Sequence, residues 1–471
     1  MTKEKKLVKD TLLYSITTFG SKALVFLMLP VYTHYFTTEE YGTWDLILTT
    51  SSLLAPFISL ELTSAVYRWL IVEKDTQQQI TIITSGTLAL ARNLILFTIL
   101  ALLWLAFSPI PYGYLTLVLI QVIIVNSYLQ QCARGLGFNF LFASLGLLQT
   151  IIHISIILLF LYSLQLRIEA FFYASILANL VSIITAWMIM RFHRFLSTRH
   201  YSKPLIKSLL KYALPIIPGA ISWWIMNASD RYIIVGYLGI EYNGLYAVAN
   251  QIPAILVMIH SVFNLAWKDS AILQFNKAAK DEYYTVVFQH FFRLLVTSVI
   301  CIALLTKPIF SIFISEKFFI AWQYTGLLLV GTMFSAFSLF WSAGFHGAKR
   351  TKIILVTSIL GAVVNIGVHI LLIPFIGLYA AAWSTLIAFI ITWIVRIRAS
   401  KPYFNIKLNR VDMVILFPLT LVALLAPYFF SQKELWVPSG LAIFLFFMYN
   451  RQIFKWIQKT VLFKLRRRLR N

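Results

Sequence analysis

The stretch SDRYIIVGYLGIEYNG, residues 229–244, places an acid and a base, Asp230 and Arg231, inside a long apolar run. At the centre of a membrane helix either residue costs about 2.5–3.5 kcal/mol to insert. A chain that keeps both must offer each a partner, a wet cavity or a ligand. Neighbouring positions on a helix point about 100° apart, so Asp230 and Arg231 cannot simply neutralise each other.

The rest of the chain shows that the solvent is a bilayer. Of its 471 residues 60% are hydrophobic and only 12% charged, against about 25% charged in soluble domains, which excludes a water-soluble globule. Apolar stretches long enough to cross about 30 Å of hydrocarbon lie near 12–36, 43–70, 80–107, 114–132, 138–163 and 169–190. A second group lies near 212–238, 244–267, 284–306, 320–343, 352–374 and 378–396, and two more near 411–430 and 435–450. The expectation is an all-α integral membrane protein with 14 transmembrane helices. Its first span follows Lys3, Lys5, Lys6 and Lys9 and is too long for a cleavable signal segment, so it is expected to stay. Cys132 and Cys301 fall near opposite membrane faces and read as small apolar fillers, not a disulfide.

A net charge of +23 would suggest nucleic acid, but the basic residues sit in the connections between spans. With a cytoplasmic N-terminus, 32 of the 40 Lys and Arg fall in inside connections and termini, while Arg167, Lys307, Lys317 and Lys433 alone fall outside. That asymmetry follows the positive-inside rule, so both termini are expected in the cytoplasm and no nucleic-acid partner is expected. The tail RQIFKWIQKTVLFKLRRRLRN, 451–471, is basic and amphipathic. It reads equally as a helix on anionic lipid or as plain anchoring.

Self-comparison shows a weak repeat. LVK at 7–9 matches LLK at 209–211, Gly42 matches Gly244, and Tyr173-Ala174 and Trp187 match Tyr379-Ala380 and Trp393. Two six-helix lobes of one orientation imply a pseudo-two-fold along the membrane normal. The expected division is 1–205 (spans one to six), 206–407 (seven to twelve) and 408–471 (two further helices and the tail).

Four bases fall within spans, namely Lys22, Arg92, Arg231 and Arg293, against the acids Asp45, Glu61 and Asp230. Bases in surplus make an anionic ligand attractive, so the four are candidate substrate-binding residues, and the acids are candidates for ion coupling or structural pairing. His153, His260, His290 and His369 read as packed residues. Trp223, Trp224, Tyr232, Tyr237, Trp383 and Trp393 suit either sugar stacking or interfacial anchoring. Pro215 and Pro218 would kink span seven. No metal cluster, nucleophile constellation or phosphate-cradling loop stands out in the sequence, so no catalytic residue, metal or cofactor is expected.

The segment SDRYIIVGYLGIEYNGLYAVANQI resembles the opening of the second half of polysaccharide flippases of the MOP (multidrug/oligosaccharidyl-lipid/polysaccharide) exporter superfamily. KALVFLMLPVYTHYFTTEEYGTWDLI, 22–47, is similar to their first helix and its turn into the second, and CARGLGF, 132–138, to the end of their fourth. With the span layout, the likeness covers essentially the whole chain and is nearest to O-antigen and capsule flippases of the Wzx type. It implies two lobes around a cavity open alternately to each side, a cargo of undecaprenyl-pyrophosphate-linked oligosaccharide, and basic cavity residues on the pyrophosphate. Lys22, Arg92, Arg231 and Arg293 stand in comparable helices. Membrane lipids and other polysaccharide-assembly membrane proteins are the implied partners. The bacterial cytoplasmic (inner) membrane is the implied location, with a proton or sodium gradient or the membrane potential as drive.

Two rivals belong to other classes. A cation-coupled drug exporter of the same superfamily would need acid-rich cavities, whereas this chain has surplus base. A membrane polysaccharide polymerase would need large outer loops, whereas the longest here, KPIFSIFISEKFFIAW at 307–322, is short and apolar.

Overall fold

The computed structural model describes residues 17, 19–452 and 455. The lysines at 3, 5, 6 and 9 and the tail from 456 onward lie outside the described residues, as does the side chain of Trp223. Every helix or strand assigned among the described residues is helical. Among the described residues ten helices are long and apolar enough to cross a membrane, or up to twelve if each of two bent pairs counts as one span. The first expected span begins outside the described residues, and the last is a shorter apolar helix of 14 residues. The protein is a multi-pass helical membrane protein. By compactness it divides into two units, Met1–Arg231 and Tyr232–Asn471.

In the first unit a helical segment over 19–27 leads to α1 (Leu29–Tyr35), α2 (Thr38–Ser59), α3 (Leu62–Leu70) and α4 (Thr76–Phe107). Then come α5 (Gly113–Gly135), α6 (Asn139–Ser163), α7 (Ile168–Met190), α8 (Lys203–Ala213) and α9 (Ile217–Ala228). The turn into α2 is written in FTTEEYG. Thr37 Oγ1 accepts the backbone N–H of Glu40 at 3.1 Å, and Glu40 Oε2 accepts that of Thr37 at 2.8 Å, a reciprocal cap of the helix start. Arg167 then closes on Glu40 at 2.7 Å.

Helix α7 packs on both α5 and α6 and joins them through buried amides. Asn126 Nδ2 donates to Gln149 Oε1 (3.1 Å) and Asn179 Oδ1 (2.9 Å), while Ser182 Oγ donates to Asn126 Oδ1 (2.8 Å). Hydrocarbon offers these groups no other partner, so they tie the three helices in register. Gly86 lets α4 approach closely. An added Cβ would lie 2.6 Å from Val66 Cγ2 and 2.9 Å from Tyr128 Oη.

The expected span over 212–238 starts earlier, at Lys203, and its helical path tightens into a 3-10 turn. Pro215 and Pro218 lack N–H donors, so α8 ends at Ala213, a 3-10 turn covers Leu214–Ile216, and α9 begins with Pro218 in its first turn. Helix α8 packs on α3 and α4, and α9 on α2, so both belong to the first unit by packing. Trp224 Nε1 of α9 donates to the Thr49 carbonyl of α2 at 3.1 Å.

The chain passes into the second unit through α10 (Asp230–Tyr237), followed by α11 (Ile240–Ala249), α12 (Gln251–Gln274), α13 (Lys280–Phe313), α14 (Glu316–Phe319) and α15 (Trp322–Gly347). It ends in α16 (Thr351–Ile376), α17 (Tyr379–Ser400), α18 (Arg410–Phe429) and α19 (Trp436–Tyr449). Helix α17 packs on α15 and α16, as α7 does on α5 and α6. The core is aromatic. Trp267 stacks on Phe340 at 4.2 Å and donates from Nε1 to its carbonyl at 3.0 Å, while Trp341 and Trp393 meet Phe288 and Phe337. Helices α18 and α19 dock on α13, where Asn450 Nδ2 donates to Thr297 Oγ1 at 3.0 Å.

Candidate functional site

The four intramembrane cations fall into two kinds. Nε of Arg231 lies 3.2 Å from Oδ2 of Asp45, across from α10 to α2, while Asp230 beside it is 2% exposed. Nε of Arg293 lies 2.7 Å from Oδ2 of Asp412. Sequence reading counted Asp45 among the available acids but passed over Asp412, which stands at the very start of span thirteen.

Lys22 and Arg92 are exposed and form no ion pair with any described residue. Arg92 stands near the middle of the 32-residue α4, and its guanidinium meets only the Oδ1 of buried Asn93, at 3.2 Å. The surplus of four bases over three acids therefore narrows to these two cations.

Arg396 corrects the charge count in another way. At the end of the expected span 378–396 it counts among the 32 basic residues of cytoplasmic connections and termini, but it lies within α17 and is 4% exposed. Its guanidinium donates to Thr357 Oγ1, the Ser338 carbonyl, Ser342 Oγ and Ser358 Oγ at 2.8–3.0 Å. It pairs with no carboxylate among the described residues and pins α15, α16 and α17 together. The signal was present in the Ser and Thr residues of those helices, though nothing local marked them as its partners.

Glu61 pairs with neither Lys22 nor Arg92. It sits in a break between α2 and α3, where Leu60 (φ 49°) and Glu61 (φ 53°) both adopt left-handed backbone and the axis bends by 61°. Two such residues in succession without glycine cost about 1–3 kcal/mol each. Glu61 accepts a 2.6 Å hydrogen bond from the Ser64 hydroxyl.

The same break borders a cavity of about 600 Å³ within the first unit. Its polar lining comes from Ser59 and Glu61 at the break, Thr63, Ser64, Tyr67 and Arg68 of α3, Ser127, Gln131 and Arg134 of α5, and Tyr212 of α8. Spacings of three, four and seven residues bring Ser127, Gln131 and Arg134 onto one side of α5, and Ser64 and Arg68 onto one side of α3. The Arg134 guanidinium lies over the rings of Tyr67 (4.8 Å) and Phe142 (5.3 Å), which fixes its plane. Arg68 is exposed and forms no ion pair with a described residue.

Among the aromatic candidates, Trp393 is buried in the ring cluster of the second unit, which excludes sugar stacking there. Trp383 is 40% exposed and borders a separate apolar cavity of about 430 Å³ with Trp322, Tyr379 and Tyr428.

These features define a class: a multi-span helical membrane protein with two cations, Lys22 and Arg92, that pair with no acid among the described residues. Residues 7–268, more than half of the chain, match the polysaccharide biosynthesis protein family, and the chain belongs to that family. It is 26% identical over 293 residues to the Lsg locus putative protein 1 of Haemophilus influenzae, covering 60% of this chain and 70% of that one. Among solved structures it resembles the lipid II flippase MurJ in an inward closed conformation (TM-score 0.70, 16% identity, 95% of this chain and 99% of that one). It also resembles an inward-facing multidrug resistance MATE family transporter of the MOP superfamily (TM-score 0.65, 15% identity, 81% and 95%). At such identities the likeness is one of fold. The family is thus one of polysaccharide biosynthesis, and the fold expected from the sequence is the fold of these solved structures.

Proposed function

We propose that this protein carries an undecaprenyl-pyrophosphate-linked oligosaccharide, an O-antigen or capsule repeat unit, from the cytoplasmic to the periplasmic leaflet of a bacterial inner membrane by alternating access. Arg92 carries the reading. A guanidinium exposed halfway along a 32-residue apolar helix, with no carboxylate beside it, is retained only where it meets water or an anion. A pyrophosphate meets that need through charge-assisted hydrogen bonds about twice as strong as neutral ones. Lys22 joins Arg92 in this role. Arg231 and Arg293 contribute through their pairs with Asp45 and Asp412, which a ligand must share or open.

Outward movement of negative charge runs down an inside-negative potential, worth about 2.3 kcal/mol per charge per 100 mV. That drive suits the reading, with Glu61 and Asp230 as sites of proton or sodium coupling. Both termini lie in the cytoplasm, where polysaccharide-assembly proteins would meet the chain.

Deletion of the gene followed by analysis of undecaprenyl-linked intermediates tests the proposal. Accumulation of the lipid-linked repeat unit on the inner leaflet is expected. Normal surface glycan with no accumulation would overturn it.

A further inference from the structure

The cavity of the first unit is asymmetric along its length. Arg68 and Arg134 stand at one end, in the last turns of α3 and α5. Glu61 and Ser64 stand at the other, bonded to each other, and Ser127 and Gln131 lie between. Seven residues separate Glu61 from Arg68, a rise of about 10 Å along a helix, roughly the length of one phosphate and one sugar ring end to end.

The chemistry of the two ends differs. The Arg134 guanidinium lies over two rings and Arg68 lines the same cavity, so that end carries two guanidinium groups, whose planar donor set suits a phosphate. A carboxylate that already accepts one hydroxyl hydrogen, from Ser64, has further lone pairs for others. Hydroxyl donors are what a sugar offers, and a second anionic group at that end would be repelled. Interfacial anchoring accounts for arginines at helix ends, but not for a polar stripe continuing from them along two facing helices to an acid.

We infer that this cavity is a glycosyl-phosphate site, in which Arg68 and Arg134 hold the phosphate and Glu61, Ser64 and Gln131 read the hydroxyls of the adjoining sugar. The inference takes only the identity of the carrier lipid from the flippase reading. The site sits wholly within the first unit.

The test uses the full chain in lipid nanodiscs with three probes: inorganic phosphate, a hexose 1-phosphate and a polyprenyl-phosphate-linked hexose. Arg68→Gln and Arg134→Gln should each weaken all three by about tenfold or more. Glu61→Gln should weaken the two sugar-bearing probes several-fold and leave inorganic phosphate unchanged or tighter. Arg199→Gln, the same charge change on an exposed connecting segment, should alter none. Thermal unfolding of each variant shows that it remains folded.

Several results would overturn the assignment: no binding of any probe to the unaltered chain, folded Arg68→Gln and Arg134→Gln variants that bind normally, or equal loss in Arg199→Gln. An equal loss of phosphate and sugar phosphate in Glu61→Gln would overturn the two-ended arrangement. Tighter binding of the lipid-linked probe identifies a lipid headgroup as the ligand, and equal binding identifies a soluble sugar phosphate. Both support the same chemistry, and neither depends on the outcome of the deletion experiment.

Discussion

Arg293 of α13 and Asp412 of α18 lie 119 residues apart in the chain and 2.7 Å apart in space. The acid is 7% exposed and the base 25%, so the pair is shielded more completely on one side than on the other. It fastens α18 to the span that carries the cation. Asp412→Ala leaves the guanidinium without its counter-charge. Removing one partner of a fully buried pair costs 3–5 kcal/mol; with Arg293 a quarter exposed, about 2–3 kcal/mol is expected. Thermal unfolding in detergent measures this, and the exchanged pair Arg293→Asp with Asp412→Arg should regain part of the loss. An unchanged melting temperature in Asp412→Ala would remove the pair from the account of the fold.

Arg396 keeps a charge in the core with neutral acceptors only. Lysine retains the charge but loses the planar fork that reaches from α17 to two neighbouring helices at once. Arg396→Lys is therefore expected to cost about 2 kcal/mol or more through acceptors left without donors, read as a lower melting temperature. A lysine variant as stable as the parent would mean that the charge alone suffices.

The amides of Asn126 and Asn179 couple α5 to α7. Interhelical hydrogen bonds within membranes average about 0.6 kcal/mol and reach about 1.7. Asn179→Leu should fall toward the upper end, because it strips partners from both Asn126 and Gln149. A double-mutant cycle with Asn126→Leu should show that the two losses do not add, and simple additivity would contradict the network.

Gly86 faces Val66 and Tyr128 too closely for a methyl group. Gly86→Ala should cost about 1–3 kcal/mol by overpacking, and Val66→Ala in the same chain should recover part of it. If Gly86→Ala proves neutral, α3 and α4 are free to separate at that point.

Arg92 separates transport from folding. Arg92→Ala removes an exposed side chain with one neighbouring hydrogen bond, so stability should change by no more than about 0.5 kcal/mol. Export of the glycan should nonetheless fall at least tenfold, measured as surface polysaccharide at equal protein abundance. Full export in that variant would sink Arg92 as a headgroup contact.

The helical membrane class was legible because hydropathy is a local property. A run of some twenty apolar residues, such as that within Thr76–Phe107, declares its solvent without reference to any other part of the chain. The caps and breaks were legible in the same way, from Thr37 and Glu40 at the start of α2 and from Pro215 and Pro218 between α8 and α9. The break at Leu60 and Glu61 was only partly so: Pro56 stands one turn before it, but neither left-handed residue is a glycine.

By itself, then, the sequence determined that the chain is a helical membrane protein rich in base, and that some of that base lies within its spans. Which cations are neutralised was decided only in three dimensions. Asp45 meets Arg231 across 186 residues and Asp412 meets Arg293 across 119, and Arg396 turned out to lie inside a bundle of hydroxyls. Charge pairing depends on distances of a few ångströms between remote segments, and those distances exist only once the helices have packed.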